Sequence, residues 1–372
     1  MAALRYRVIA MFKAAIASWP IVAPLAAWLL YAAAAADAAG MHGALRYLLA
    51  AALVASALAA VHHAEVVAHR IGEPFGTLLL AIAVTVIEAS LIVTLMLAGG
   101  PATAALARDS VFAAVMLILN GVIGLSLLIG GVRHHEQVFG QRGVTASLAS
   151  LAAISVLTLV LPNYTETTPG PTYSPVQLAF VSIVSLLLYG TFILVQAVRH
   201  RDYFLPIDGR GDEDIHAAPP STAKAISSAV LLLTSLAAVV AIAKALAPAL
   251  ETAVDRLGAP KSLVGVLIAL LVLLPEGTAA LRAAHADRLQ TSLNLALGSA
   301  LASIGLTIPV VAWVSLATGW PLALGLDAKS SVLLLLTLFV SSLSLGTART
   351  TILQGVIHLV VLAVYLMTAV VP

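Results

Sequence analysis

Residues Gly72–Gly100 read GEPFGTLLLAIAVTVIEASLIVTLMLAGG, and this stretch decides how the chain folds. Between Pro74 and Ala98 it is almost wholly apolar and long enough to cross a bilayer as a helix. A single carboxylate, Glu88, lies near its middle. A charge at that depth costs at least about 2.5–3.5 kcal/mol, so it is rare unless it faces a cavity or a partner. The stretch therefore predicts a membrane-spanning helix with a functional acid.

A second stretch has the same character. Residues Lys261–Arg282 read KSLVGVLIALLVLLPEGTAALR, again one apolar span with one central carboxylate, Glu276. Pro275 directly precedes it, and a proline inside a helix removes one N–H and is expected to kink or break the span there. The sequence therefore predicts two membrane-embedded glutamates, one in each half of the chain, as ligands for a cation or a proton.

The composition excludes a soluble protein. Hydrophobic residues make up 61% and charged residues 10% of the chain, and the mean hydropathy is +1.05, whereas soluble domains carry roughly 25% charged residues. The fold class predicted is an all-α polytopic membrane protein whose surroundings are the lipid bilayer. There is no basic run to indicate a nucleic-acid partner, no cysteine for disulfides or thiolate metal sites, and no P-loop for ATP.

Hydropathy predicts eleven transmembrane helices. They cover residues 14–36, 44–61, 74–98, 109–131, 144–162, 176–198, 224–248, 259–281, 290–316, 330–346 and 350–371. A hydrophilic stretch with Gly, Pro and several acids separates the sixth from the seventh. We expect a leading helix in residues 1–43, a first group of five helices in 44–198, a cytoplasmic linker in 199–223 and a second group of five in 224–372.

The basic residues predict the orientation. With the N-terminus in the cytoplasm, thirteen of the nineteen Lys and Arg residues fall on the cytoplasmic side, as the positive-inside rule requires. An odd number of spans then places the C-terminus outside. Glu88 lies in the second helix of its group of five and Glu276 in the second of the other, and the two spans run in opposite directions. This is the pattern of an inverted-repeat transporter, which binds its ion near the midplane where the repeats meet.

Small and polar residues in the next span of each group extend the candidate site. The fourth span contains LNGVIGLSLLIGG and the ninth LNLALGSALASIGLTIP. Such residues allow close helix packing, or local unwinding that frees carbonyl groups for a cation, and the sequence leaves both open. Thr85 lies three residues before Glu88, on the same helix face. The further candidate cation- or proton-binding residues are Thr85, Asn120, Gly121, Asn294, Gly298, Ser299 and Ser303.

Histidines and one glutamate near the cytoplasmic ends form a second set of candidates. His62 and His63, and His134 and His135, lie in two cytoplasmic segments where histidine could recruit ions or sense pH, or could be an ordinary solvated boundary. Glu73 precedes the third span, where it fits a helix-dipole role or ion recruitment.

The blocks GEPFGTLLLAIAVTVIEASLI, LNGVIGLSLLIGG, LLPEGTAALRAAHADRLQ and LNLALGSALASIGLTIPVV resemble those of the cation/proton exchangers in the calcium:cation antiporter superfamily. The resemblance is strongest to the bacterial ChaA-type calcium (sodium, potassium)/proton antiporters. It implies one leading helix, two inverted five-helix repeats, and a bacterial inner membrane. It also implies that Glu88 and Glu276 bind cation and proton in turn. The asparagine that eukaryotic exchangers have three residues before each glutamate is Thr85 or Leu273 here.

Together these features predict a secondary active antiporter that exchanges Ca²⁺, and in addition Na⁺ or K⁺, for H⁺ by alternating access. It is expected not to be an enzyme and to need no cofactor, with inorganic cations and protons as its partners. The alternatives are a cation channel and a membrane scaffold that does not transport. The sequence does not indicate an oligomeric state.

Overall fold

The structure is a computed structural model that describes residues 2–36, 43–72, 75–205, 220–257, 260 and 262–371. It is almost wholly helical, as the composition predicts. The α-helices are α1 (Ala2–Ala36), α2 (Gly43–Ile71), α3 (Phe75–Gly99), α4 (Leu106–Met116), α5 (Ile123–Arg133), α6 (Gln141–Ser155), α7 (Pro175–Leu194), α8 (Thr222–Leu257), α9 (Ser262–His285), α10 (Leu289–Ala302), α11 (Ile308–Thr318), α12 (Ala328–Leu345) and α13 (Ile352–Val370).

In the described part of the chain, four wider π-helical turns modify these helices. Leu117–Val122 joins α4 to α5, and we call it the α4–α5 π turn; Ser303–Thr307 joins α10 to α11 and is the α10–α11 π turn. Two more, Val156–Val160 and Val195–Arg199, follow α6 and α7. Of the two readings left open for the fourth and ninth spans, local irregularity is therefore present as π turns. Among the described residues the strands are short: Gln137–Val138 pairs antiparallel with Arg349–Thr350.

Within the described residues, eleven helical segments are long and apolar enough to span a membrane, which confirms the predicted number. The largest difference concerns the second span, predicted to end at residue 61 and found to be Gly43–Ile71. The polar group His62, His63 and Glu65 lowers the local hydropathy but does not end the helix. Residues 206–219 of the predicted linker lie outside the described residues.

Contacts divide the chain into two units. The first consists of the described residues of Met1–Ile87 and Pro219–Glu251, and its core packs Ala27 of α1 with residues of α2 and α8, including Leu49 and Ile242. Across the same helices, the Trp28 indole donates a hydrogen bond to the Thr234 carbonyl at 3.2 Å. The leading helix is therefore tied to both α2 and α8.

Two prolines in α1 explain a contact that sequence reasoning did not predict. Pro24 has no N–H, so the carbonyl of Pro20, four residues earlier, has no helical donor. The buried His63 ring of α2 fills that vacancy, with its Nε2 lying 3.0 Å from the Pro20 oxygen. Since a carbonyl can only accept, Nε2 carries the proton. His63 thus completes the hydrogen bonding of a proline-interrupted helix.

The second unit consists of the described residues of Glu88–Ala218 and Thr252–Pro372. In it α9 packs on α4 and α10, and α13 packs on α5 and the α4–α5 π turn. Capping boxes begin α7 at Ser174 with Gln177 and α13 at Thr351 with Gln354, so these two spans start in the same way. This unit contains both glutamates.

Candidate cation and proton site

Glu88 lies in α3 and is 1% exposed. Its carboxylate accepts hydrogen bonds from the Ser303 hydroxyl, at 2.8 Å to Oε1 and 2.9 Å to Oε2, and from the Thr307 hydroxyl at 2.9 Å to Oε2. Both donors belong to the α10–α11 π turn. A carboxylate this deeply buried is held in place by hydroxyl groups from a different span.

Glu276 lies in α9 and is half-buried. The Ser299 hydroxyl of α10 donates to its Oε2. The helix continues through Pro275, so the expected break does not occur, but the proline leaves the carbonyl of Leu271 without its regular helical donor. The second glutamate is thus held by the same span that holds the first.

The two carboxylates are close enough to repel one another electrostatically. Ser299, Ser303 and Thr307 are spaced by four residues and lie along one face of the ninth span, which explains how a single span reaches both acids. Repulsion between two buried carboxylates is relieved by a bound cation or a proton. The arrangement is therefore an oxygen-rich site that attracts positive charge.

Asn120 is not brought to the carboxylates, contrary to expectation. Its amide donates to the Thr337 hydroxyl of α12 at 2.9 Å, and its oxygen lies 3.1 Å from Nδ1 of His358 in α13. Gly121 likewise faces α13, where a Cβ atom would lie 3.4 Å from Leu362. Residue type identified these positions as polar or small, but did not indicate which neighbouring helix they contact.

Asn294 is also placed away from the glutamates. Its amide donates to the Phe204 carbonyl at 2.5 Å, and its oxygen accepts from Gln290 at 3.0 Å. Asn294 therefore links the start of α10 to the segment after α7 by a hydrogen bond. Of the other candidates, Thr85 is buried three residues before Glu88 in α3, and Gly298 borders open space next to Ser299.

The candidate histidines outside the carboxylate site have separate environments. His62 lies beside Trp19 of α1, with ring centroids 6.1 Å apart, and His63 binds Pro20 as described above. His134 donates from Nε2 to Asp287 at 3.0 Å, while His135 is exposed. Glu73 lies outside the described residues.

Asp287 forms an ionic cluster between the end of α5 and the turn after α9. The hydrogen bond from His134 lowers the pKa of the Asp287 carboxyl, burial opposes this change, and the charges of His134 and Arg133 lower the pKa further. Arg133 also donates to the His285 carbonyl. The cluster joins the ends of the spans that carry the α4–α5 π turn and Glu276.

Two residues of the site were missed from the sequence. Thr307 follows Ser303 by four residues, so the helical period could have found it. Tyr189 of α7 is buried, interacts electrostatically with Glu276, and packs its ring where a Cβ on Gly305 would stand, 3.0 Å from its own Cβ. Nothing in the sequence separates this tyrosine from other aromatic residues of an apolar span.

A cavity of about 800 Å³ opens elsewhere in the second unit, where α4 and α12 begin. Arg108, Asn163, Glu166 and Asp327 are among its lining residues, and neither glutamate of the candidate site is. Among the described residues no group of three or more His, Asp or Glu side chains is arranged to hold a metal ion. The candidate site therefore consists of two carboxylates and hydroxyl groups, a donor set that suits a hard cation carried as substrate.

Comparisons with known proteins agree with this geometry. The profile of the sodium/calcium exchanger protein family matches residues 42–198 and 227–371. A putative ionic transporter of Sinorhizobium fredii is 45% identical over 359 residues, 95% of this chain and 96% of the relative. The sodium-potassium/proton antiporter ChaA of Escherichia coli is 38% identical over 318 residues, 85% of this chain and 86% of the relative.

Solved structures share the fold. The H⁺/Ca²⁺ exchanger CAX superimposes with a TM-score of 0.69 at 16% identity, covering 96% of this chain and 88% of the exchanger. The profile match covers both five-helix repeats and the ChaA relative covers most of the chain. The chain therefore belongs to the sodium/calcium exchanger protein family.

Proposed function

We propose that this multi-pass membrane protein is a secondary active antiporter that exchanges a cation for protons. The observation that carries the proposal is the pair Glu88 and Glu276, which come from different repeats and are bound by hydroxyl groups of one span. A relative with 38% identity is named as a sodium-potassium/proton antiporter, which supports the same activity.

The proposed mechanism is competition for the carboxylates. A buried carboxylate is costly unless a proton or a cation offsets its charge. Protonation of Glu88 and Glu276 removes the repulsion between them and also the attraction for a metal ion. Cation binding requires the protons to leave, and alternating exposure of the site to the two sides of the membrane converts this competition into exchange.

The proposed cargo is Ca²⁺, with Na⁺ or K⁺ as additional substrates. Ca²⁺ takes 6–8 oxygen ligands, which the carboxylates, the hydroxyls of Ser299, Ser303 and Thr307, backbone carbonyls and water could supply. With threonine at position 85 and leucine at 273, the site has few fixed amide oxygens. Since selectivity depends on ligand number and rigidity, we expect loose discrimination between calcium and monovalent ions.

The remaining expectations on organisation belong to the same proposal. The repeats would occupy residues 44–198 and 224–372, with the N-terminus in the cytoplasm, the C-terminus outside and the protein in a bacterial inner membrane. Reporter fusions at both ends test the orientation, and both reporters on one side would contradict it. A channel or a scaffold is less well supported, since the family consists of exchangers.

Purified protein in vesicles that contain a pH-sensitive dye tests the function. We expect addition of Ca²⁺, Na⁺ or K⁺ to drive proton movement, and Glu88→Gln and Glu276→Gln to abolish it while the protein remains folded. The matched control is Glu136→Gln, because Glu136 is exposed and pairs with Arg349. Exchange at the wild-type rate by either site variant would refute the assignment, and large uncoupled currents would indicate a channel.

A further inference from the structure

A buried histidine lies outside the carboxylate site. His358 of α13 is 0% exposed. It reaches the fourth span because glycines allow the two helices to approach: a Cβ atom on Gly124 would lie 3.0 Å from the Cβ of His358, and one on Gly355 would lie 2.6 Å from the Leu128 nitrogen. The imidazole therefore packs against the α4–α5 π turn.

The hydrogen bonds around this ring define its protonation. The Thr337 hydroxyl donates to the Met116 sulfur at 3.4 Å, and the Asn120 amide donates to the Thr337 oxygen at 2.9 Å. The Asn120 oxygen is then left to accept, so Nδ1 of His358 carries the hydrogen that bridges the 3.1 Å between them. In this arrangement Nε2 is an acceptor.

Nε2 is buried and has no hydrogen-bond partner among the residues that the structure describes. The ring also lies against the backbone of Leu119, whose carbonyl has lost its regular helical donor, because the N–H of Ile123 bonds to Ile118 instead. A neutral ring has one N–H donor for the oxygens of Asn120 and Leu119, whereas a doubly protonated ring has two.

We propose that His358 is a second proton-binding site of the transporter, distinct from the two glutamates. One proton from water binds the Nε2 lone pair, the ring charge changes from zero to +1, and Nδ1–H remains on Asn120. The low-polarity surroundings oppose the charge, so the proton is held only while the oxygens of Asn120 and Leu119 face the ring.

This site has a route to the cation site. Val122 of the same π turn packs against Gly277, where a Cβ would lie 3.3 Å from its side chain, and Gly277 follows Glu276. A charged ring would attract the Leu119 carbonyl. Any resulting shift of the α4–α5 π turn would act on its contact with α9. This role rests on the proposed function, whereas protonation of the ring does not.

Other charged and titratable groups lie on the helices around α13. They are Glu276, Arg282 and His285 on α9, Arg133 on α5, Lys329 on α12, Arg108 and Asp109 on α4, and Tyr365 on α13 itself. The hydrogen bonds found for His358 include none of them. A titration specific to its ring can therefore be separated from theirs by substitution.

The first measurement is nitrogen NMR of histidine-labelled wild-type protein in liposomes. We expect one imidazole signal, absent from His358→Asn, to change from the Nδ1–H form to the doubly protonated form as the pH is lowered. A signal that stays neutral throughout the pH range of exchange would overturn the proposal. This readout needs no transport, so it decides the point even if no cation drives proton movement.

The second measurement is the pH profile of exchange. His358→Asn keeps an N–H for the Asn120 oxygen but cannot titrate, so we expect the pH of half-maximal exchange to shift by at least about 0.5 unit. His69→Asn is the control, because His69 is exposed. A profile identical to that of the wild type would overturn the coupling to transport.

Discussion

Ser303 donates its hydroxyl to both oxygens of Glu88, although the two residues are 215 positions apart in the chain. Glu88 lies in the third membrane span and Ser303 in the ninth, so the carboxylate of one span is oriented by another. Thr307 of the same π turn adds a third hydrogen bond. Any movement of the ninth span relative to the third must therefore change the environment of the acid that is proposed to bind the ion.

Replacing Ser303 by alanine should weaken cation binding. A hydrogen bond to a charged group contributes about 1.5–3 kcal/mol, which corresponds to roughly tenfold or more in apparent affinity. The measurement is the cation concentration for half-maximal exchange. Ser182→Ala is the matched control, because that buried hydroxyl bonds to the Leu178 carbonyl of its own helix. An unchanged affinity in folded Ser303→Ala would show that the orientation of Glu88 does not matter.

Replacing His63 by phenylalanine should destabilise the protein. The Pro20 carbonyl then has no donor, and an unsatisfied buried group costs about 1–3 kcal/mol. Pro24→Ala restores the helical N–H, so His63→Phe should cost less in that background. The comparison is the thermal unfolding of the wild type, both single variants and the double variant. Equal losses in both backgrounds would contradict the role assigned to His63.

Replacing Gly265 by alanine should loosen the contact between α9 and α4. The added Cβ would lie 2.8 Å from backbone atoms of Asp109 and Ser110, which cannot rotate away. Overpacking of this kind costs about 1–3 kcal/mol. Thermal unfolding measures it, and Gly190→Ala is the control because a Cβ there meets nothing within 4 Å. Equal unfolding temperatures for the two variants would contradict the close approach.

Replacing Asp287 by asparagine should change stability at low pH. The pKa of Asp287 is lowered in the folded protein, so its contribution is present above about pH 4, where the unfolded carboxyl is ionised, and is lost as pH falls through the lowered value. Asparagine cannot titrate but tolerates the φ of 58° at this position. As the pH is lowered, the unfolding temperature of the variant should therefore fall less steeply than that of the wild type. The same steepness in both proteins would assign the acid sensitivity to other groups.

The sequence was sufficient to locate the spans and to single out the two glutamates as candidates, for a physical reason. A lone acid in an apolar segment is costly, so its presence signals function, and hydropathy locates the helices directly. The hydrogen-bond partners of the other candidate residues were harder to predict. Asn120 and Asn294 have residue types suited to a cation site, yet they bind His358 and Phe204, because the direction of a side chain depends on packing that residue type does not encode.

The two π turns, Leu117–Val122 and Ser303–Thr307, have a consequence for sequence comparison. Each holds one residue more than an α-helix of the same rise, so every later side chain is rotated by about 100° from the position a continuous helical wheel would assign. A relative whose span is purely α-helical should align with a one-residue gap inside the turn. Placed outside the turn, that gap would pair residues from different faces of the helix, and the hydroxyls that bind Glu88 and Glu276 would look unrelated.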